Sequence, residues 1–125
     1  MRWPVVAFCV LIGAAALLNP SLGLANDLDD AVGHTRLAIE QGRKGSADAL
    51  VVHAKAALKF ARRAYASRVG SFSSREADAK AQENEPLKES LTNLKAAVLE
   101  GKKRRAETAT RQAEAALSRL EAAPH

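Results

Sequence analysis

Small and apolar side chains in the first half of the chain recur in alternating steps of four and three residues. The series runs from Leu28 to Tyr65 and is interrupted by Gly42-Arg43-Lys44-Gly45. Its members are Leu28, Val32, Thr35 and Ile39, then Val51, Ala54, Leu58, Ala61 and Tyr65. Such steps form one stripe on an α-helix, and glycines between two runs supply a C-terminal cap and a turn. The pattern predicts a helical hairpin.

The same pattern returns after 59 positions, between Pro86 and Ala123. The identical pairs are Leu28 with Leu87, Ala38 with Ala97, Gly42 with Gly101, Lys44 with Lys103, Ala47 with Ala106, Ala54 with Ala113, and Ala56-Ala57-Leu58 with Ala115-Ala116-Leu117. Alanine-rich helices can match by composition alone, but here the loop glycine and lysine match as well. We therefore interpret the chain as a duplicated hairpin.

These repeats define the expected organisation of the chain. Residues 26–66 form the first hairpin, 86–123 the second, and 67–85 a linker that can be helical in part, since Ser73 and Glu76 have capping-box spacing. Pro86 is compatible either with the first turn of a helix or with a kink. The predicted fold class is all-α, an up-down four-helix bundle.

The first 25 residues have the layout of a cleavable signal peptide. Arg2 precedes an apolar run from Val5 to Leu18, and Gly23-Leu24-Ala25 offers small residues for cleavage. The run is shorter than the roughly 20 residues of a membrane span, although a retained anchor is the alternative. We expect cleavage after Ala25, a periplasmic location and no stable membrane insertion afterwards.

Removal of this segment reduces the set of side chains that could act as metal ligands or catalytic groups. Cys9, the sole cysteine, leaves with it, so the mature chain has no thiol ligand, disulfide or cysteine nucleophile. We find no nucleophile motif, glycine-rich phosphate loop or His-Glu-x-x-His pattern, and we expect no enzymatic activity. The remaining aromatic residues, Phe60, Tyr65 and Phe72, indicate a thin core with little room for a deep pocket.

Basic clusters occur at Lys102-Lys103-Arg104-Arg105 and at Arg62-Arg63. Such runs are usually solvated surface. Nucleic acid is disfavoured as a partner by the predicted export and by the lack of aromatic residues among the cations. An anionic lipid surface remains open, because a basic helix face can rest on a charged leaflet without inserting.

Three segments carry a family resemblance: Asp29-Asp30-Ala31-Val32-Gly33-His34, Gln41-Gly42-Arg43-Lys44-Gly45 and His53-Ala54-Lys55. With the leader and the two repeats, they make the chain resemble the periplasmic small metal-binding protein family. The resemblance covers nearly all of the mature chain except the link around residues 70–84. It implies a small exported helical bundle that binds divalent copper and related metals, with a role in metal buffering or tolerance.

Hairpin geometry singles out two histidines. In an antiparallel hairpin, residues equally distant from the loop centre lie at the same height, and we call such a pair a rung. His34 and His53 form a rung, as do Gln41 with Ser46 and Asp27 with Phe60. Imidazole is the usual ligand of copper and zinc, and Asp30, one turn before His34, could add an oxygen. We therefore predict a divalent metal site, for copper or zinc, at His34, His53 and Asp30.

Other rungs depart from the histidine-rich character of the family. They hold Gln41, Ser46 and Phe60 in the first hairpin, and Asn93, Glu100, Arg105, Gln112 and Arg119 in the second. Two imidazoles and one carboxylate form an incomplete site, and we expect a reduced capacity for metal. His125, the last residue, is more typical of a frayed end. The alternative function is a helical scaffold that has lost its ligands and pairs with itself as a homodimer or with another envelope protein.

Overall fold

The chain folds into helices joined by short turns. The computed structural model describes residues 24–70 and 74–124, and within them there are five helices: α1 (Leu24–Arg43), α2 (Ala47–Val69), α3 (Ser74–Glu83), α4 (Glu85–Lys102) and α5 (Ala106–Ala122). No strand occurs in these ranges. The predicted all-α fold is confirmed. The leader up to Gly23, the capping residue Ser73 and His125 lie outside the described residues.

Both hairpin loops end their first helix in the same way. Gly45 donates its backbone N–H to the carbonyl of Gly42 at 2.9 Å, and Ser46 donates to that of Gln41 at 2.9 Å. In the second hairpin Arg104 donates to Gly101 at 2.9 Å and Arg105 to Glu100 at 3.0 Å. This pair of bonds is the Schellman motif, which satisfies carbonyls left open at a helix end. The two loops that the sequence predicts to be equivalent thus share the same backbone hydrogen bonds.

Most of the segment between the hairpins is helical. The second helix continues to Val69, and α3 occupies residues 74–83, because alanine and long polar side chains favour helix without an apolar stripe. Asn84 separates α3 from α4, and its side-chain amide donates to the carbonyl of Lys80 at 2.7 Å. Pro86 lies in the first turn of α4, where its missing N–H costs no helical bond.

The four long helices form a closed ring of neighbours. Helix α1 packs on α2 and α5, and α4 packs on α5 and α2. Two apolar clusters fill the interior. One cluster, at the loop end, contains Ile39, Leu50 and Val98, and the other, at the end of the chain termini, contains Leu28, Leu87 and Leu120. Both loops therefore lie at one end of the bundle, as expected for up-down order.

The core is built mainly from alanine. Among the described buried apolar residues, 12 are alanine and 6 are leucine, so the helices approach closely and each residue buries little area. The buried hydroxyls of Thr35, Ser90 and Thr110 donate to backbone carbonyls of their own helices. None of the described helices is long and apolar enough to cross a membrane.

Candidate metal centre

His34 and His53 meet across the outer seam of the first hairpin. His34 projects from α1 and His53 from α2, and their Nδ1 atoms are 3.5 Å apart. Both residues are half-buried. The contact forms because the chain reverses direction between α1 and α2, so that positions equally far from the point between Arg43 and Lys44 face each other. The structure therefore brings together the two histidines that the sequence predicts to form a rung.

Phe60 holds the His34 ring from the other side. The two rings are nearly parallel, with centroids 5.5 Å apart and an interplanar angle of 7°. His53 stacks on His34 at 5.8 Å and 27°. Ring stacking of this kind restricts rotation of the imidazole and so orients its nitrogens. In the sequence Phe60 stands out only as a rung position that lacks histidine. Its position seven residues after His53, however, places both residues on one face of α2.

Phe60 also contacts an ion pair between Arg63 and Asp27. The Arg63 guanidinium carbon is 5.9 Å from the Phe60 ring centroid, and its Nε is 3.6 Å from a carboxylate oxygen of the buried Asp27. A cation over an aromatic face is attracted by the ring quadrupole. Asp27 compensates the charge of Arg63. Asp27 and Arg63 therefore support the stack without joining the nitrogen pair.

Asp30 is not brought together with the histidines. It lies on the exposed surface of α1, and within the described ranges no three residues among His, Cys, Asp and Glu are grouped to hold an ion. Its counterpart in the second hairpin, Glu89, instead reaches Arg119 at 2.8 Å, and Arg119 corresponds to Phe60.

In the second hairpin the equivalent rungs carry no imidazole. Asn93 and Gln112 replace His34 and His53, and amides are weak ligands for copper and zinc. The rungs on either side hold cations: Arg119 pairs with Glu89, and Arg105 pairs with Glu100 at 3.3 Å. Arginine repels a metal ion and its pairing occupies the nearby carboxylates. The two hairpins therefore share a backbone but not a ligand set.

The nitrogen pair matches the spacing that a tetrahedrally bound ion such as zinc requires. An ion bound tetrahedrally at about 2.0–2.1 Å from each nitrogen holds them about 3.3–3.4 Å apart, and the observed separation is 3.5 Å. Two imidazoles are suitable donors for copper or zinc. No third His, Cys, Asp or Glu is grouped with the pair among the described residues.

Comparison with known families agrees with this chemistry. The family described as "Small metal-binding protein" matches residues 5–123. Searches of curated proteins and of solved structures gave no match. Since the matched range includes both hairpins and the helix that joins them, the chain belongs to the small metal-binding protein family.

Proposed function

We propose that this protein binds one divalent metal ion, copper or zinc, through Nδ1 of His34 and Nδ1 of His53, and that it buffers metal in the periplasm. The observation that carries the proposal is the 3.5 Å separation of these two nitrogens. Family membership supports metal binding in general, and the position of the pair supports one site in the first hairpin. The leader-like sequence of residues 1–25 supports the location.

Metal binding requires a change of tautomer in one of the two rings. A contact between two Nδ1 atoms needs one ring protonated at Nδ1 and the other not, so one imidazole donates to its neighbour. When both nitrogens ligate an ion, that proton must leave Nδ1. The proton moves to Nε2 of the same ring, which stays neutral, and binding should weaken as acid competes for the ring nitrogens. Phe60 fixes the plane of His34 during this change.

We infer a reduced capacity from the second hairpin. Its Asn93 and Gln112 offer only amides, and Arg105 and Arg119 bring positive charge to the adjoining rungs. A site with two protein ligands also leaves several positions to exchangeable water. The combination favours a single, readily exchanged ion, which suits buffering better than permanent storage.

The test is calorimetric titration of copper(II) into the chain that begins at Asn26, beside two variants. His34→Ala with His53→Ala removes the nitrogens, and Asn93→Ala with Gln112→Ala changes the matching rung of the second hairpin. Loss of a supporting residue around a ligand costs 10–100-fold, so loss of both ligands should cost more than about a hundredfold. The control should bind as the parent does.

Acidity provides an independent readout. Histidine in model peptides titrates near pH 6.5 and carboxylates near pH 4, so imidazole ligation should fade between about pH 7.5 and about pH 5 while carboxylate ligation persists. Equal binding by the histidine variant and the control, or unchanged affinity at the lower pH, would contradict the proposal. Either result would favour the scaffold function instead.

A further inference from the structure

The duplication creates two related grooves on opposite sides of the bundle. The first lies between α1 and α5, with Ile39 and Leu117 in its floor. Ion pairs cross it at two levels: Arg36 reaches Glu121 at 2.7 Å, and Arg43 reaches Glu114 at 2.7 Å. On its rim the Lys44 ammonium hydrogen-bonds the carboxylate of Glu40 and lowers the pKa of that group below its usual value. This groove is electrically balanced.

The 59-residue equivalence places a second groove between α2 and α4, which also pack against each other. Gly42 of α1 approaches Thr110 of α5, and Gly101 of α4 approaches Val51 of α2, which are the same two positions shifted by 59. Leu58 and Val98, the counterparts of Leu117 and Ile39, are buried beneath this interface. Residues that face each other across the first groove therefore have counterparts that face each other across the second.

The charges of the second groove are reversed on one side only. Lys95 and Lys102 of α4 stand where Arg36 and Arg43 stand on α1. On α2, however, Arg62 and Lys55 replace Glu121 and Glu114. Cations thus oppose cations at both levels. We define the basic groove by five residues that are exposed and that pair with no carboxylate in the described part of the chain: Lys55, Lys59, Arg62, Lys95 and Lys102.

Two aliphatic side chains project from the same stripes. Val52, one turn before Lys55, is 64% exposed, and Leu99, between Lys95 and Lys102, is 57% exposed. The carboxylates at the ends of these stripes are already engaged, because Asp48 pairs with Arg104 and Glu85 with Lys88. The surface therefore combines uncompensated positive charge with exposed apolar side chains.

Stability of the monomer does not account for this arrangement. Like charges in neighbouring positions of packed helices destabilise the fold, and the matching groove shows that ion pairs fit the same geometry. A surface that is unfavourable in isolation becomes favourable when an anionic partner supplies the missing charge. The partner must also accept Val52 and Leu99.

We propose that the basic groove docks this protein onto an anionic lipid bilayer. Lysine stems can lie along the acyl boundary while their ammonium groups reach phosphate, and Val52 and Leu99 can enter the interface shallowly. A second copy of the chain is a poorer partner, since its α1/α5 groove carries three cations and three anions and no net charge. The stripes carry no aromatic residue for stacking on bases, which disfavours nucleic acid. The histidine rung takes no part.

The experiment measures partition of the chain from Asn26 onwards into sedimenting vesicles. One set contains phosphatidylcholine with about 30 mol% phosphatidylglycerol, and the other contains phosphatidylcholine alone. Lys55→Gln with Arg62→Gln removes two charges from the basic groove, and Arg36→Gln with Arg43→Gln removes two from the opposite groove. That groove lies across two helix layers, about 20 Å from a docked membrane and beyond the screening length.

We expect binding to anionic vesicles alone, weakened by salt. Each cation near an anionic surface contributes about fivefold to the partition coefficient, so the Lys55 and Arg62 variant should lose about 25-fold. The Arg36 and Arg43 variant should lose less than about threefold. Circular dichroism checks that both remain folded. Equal losses from the two variants, equal binding to neutral vesicles, or binding to a single-stranded oligonucleotide without binding to vesicles would overturn the proposal.

Discussion

Two equivalent loop residues adopt the left-handed backbone conformation, although only one of them is glycine. The φ angle is 80° at Gly45 and 59° at Arg104. Each residue follows the end of the first helix of its hairpin and donates the bond that closes the loop. Glycine enters this region without strain, whereas a side chain brings Cβ close to the carbonyl oxygen. The second loop therefore carries a local cost that the first avoids.

Arg104→Gly should raise stability. The left-handed conformation costs an L-residue about 1–2 kcal/mol, and part of the gain is offset by the greater freedom of glycine in the unfolded chain. The exposed contact with Asp48 adds little, since such pairs contribute about 0–1 kcal/mol. We expect the free energy of unfolding to rise by about 0.5–1 kcal/mol, measured by urea denaturation.

The control is Gly45→Ala in the first loop, which should lower the free energy of unfolding by about 1 kcal/mol. A loss of stability in Arg104→Gly comparable with that of the control would show that the Arg104 side chain stabilises the loop.

At the level of elements, the two hairpins share a backbone structure but differ in the side chains that could bind a metal. Their loops, their glycine contacts and most of their buried positions coincide. The rung that holds His34 and His53 in one hairpin, however, holds Asn93 and Gln112 in the other. Since side chains at this rung project outwards, they can change without disturbing the core. The second hairpin should therefore accept the ligands of the first.

Asn93→His with Gln112→His should create a second metal site. The hairpin geometry would place the two new imidazoles at the same height, as it places the native pair. We expect the copper stoichiometry to rise from one to two in calorimetric titration, with weaker affinity at the new site because Arg119 lies on the next rung. Thr92→His with Arg111→His, which puts two histidines on the same helices off the rung, should leave the stoichiometry at one.

The sequence predicted the hairpins and the meeting of His34 with His53, because both follow from periodicity and from distance along a short loop. It did not predict the stacking of Phe60 on His34 or the pairing of Arg63 with Asp27, which depend on rotamers and on packing between turns. The sequence also did not predict that Asp30 lies apart from the two histidines. One turn of separation places Asp30 near His34 along α1 but does not fix the direction of its carboxylate. The sequence alone does not decide whether residues 74–83 are helical, because that segment lacks an apolar stripe.

On the scale of the whole molecule, positive charge is distributed unevenly around the bundle. The α1/α5 groove balances its charges in cross-helix pairs, whereas the opposite groove presents five cations without partners among the described residues. Exposed pairs contribute about 0.2–1 kcal/mol each, and repulsions are of similar size. Substitutions that introduce ion pairs in the basic groove should therefore raise the free energy of unfolding of the monomer.

Lys55→Glu with Arg62→Glu should stabilise the protein by restoring the residues of the other groove. The new carboxylates would face Lys102 and Lys95, as Glu114 and Glu121 face Arg43 and Arg36. We expect the free energy of unfolding to rise by about 1 kcal/mol at low ionic strength and by less in about 0.5 M salt. Thermal unfolding at the two salt concentrations measures the change.

Lys55→Glu with Lys102→Glu is the matched comparison. It changes the net charge by the same amount, but it places two carboxylates opposite each other across the groove. Stabilisation of both variants alike would indicate relief of overall charge instead of cross-groove pairing.

The equivalence of the two interhelix contacts at Gly42 and Gly101 has a consequence for symmetry. Two separate copies of one hairpin could associate through the same contacts as an isologous dimer, in which both grooves and both rungs would be identical by construction. Any cation placed in one groove would then appear in the other, and any histidine would be doubled. Joining the copies through α3 removes that constraint. One polypeptide can thus hold imidazoles on a single hairpin and positive charge on a single side.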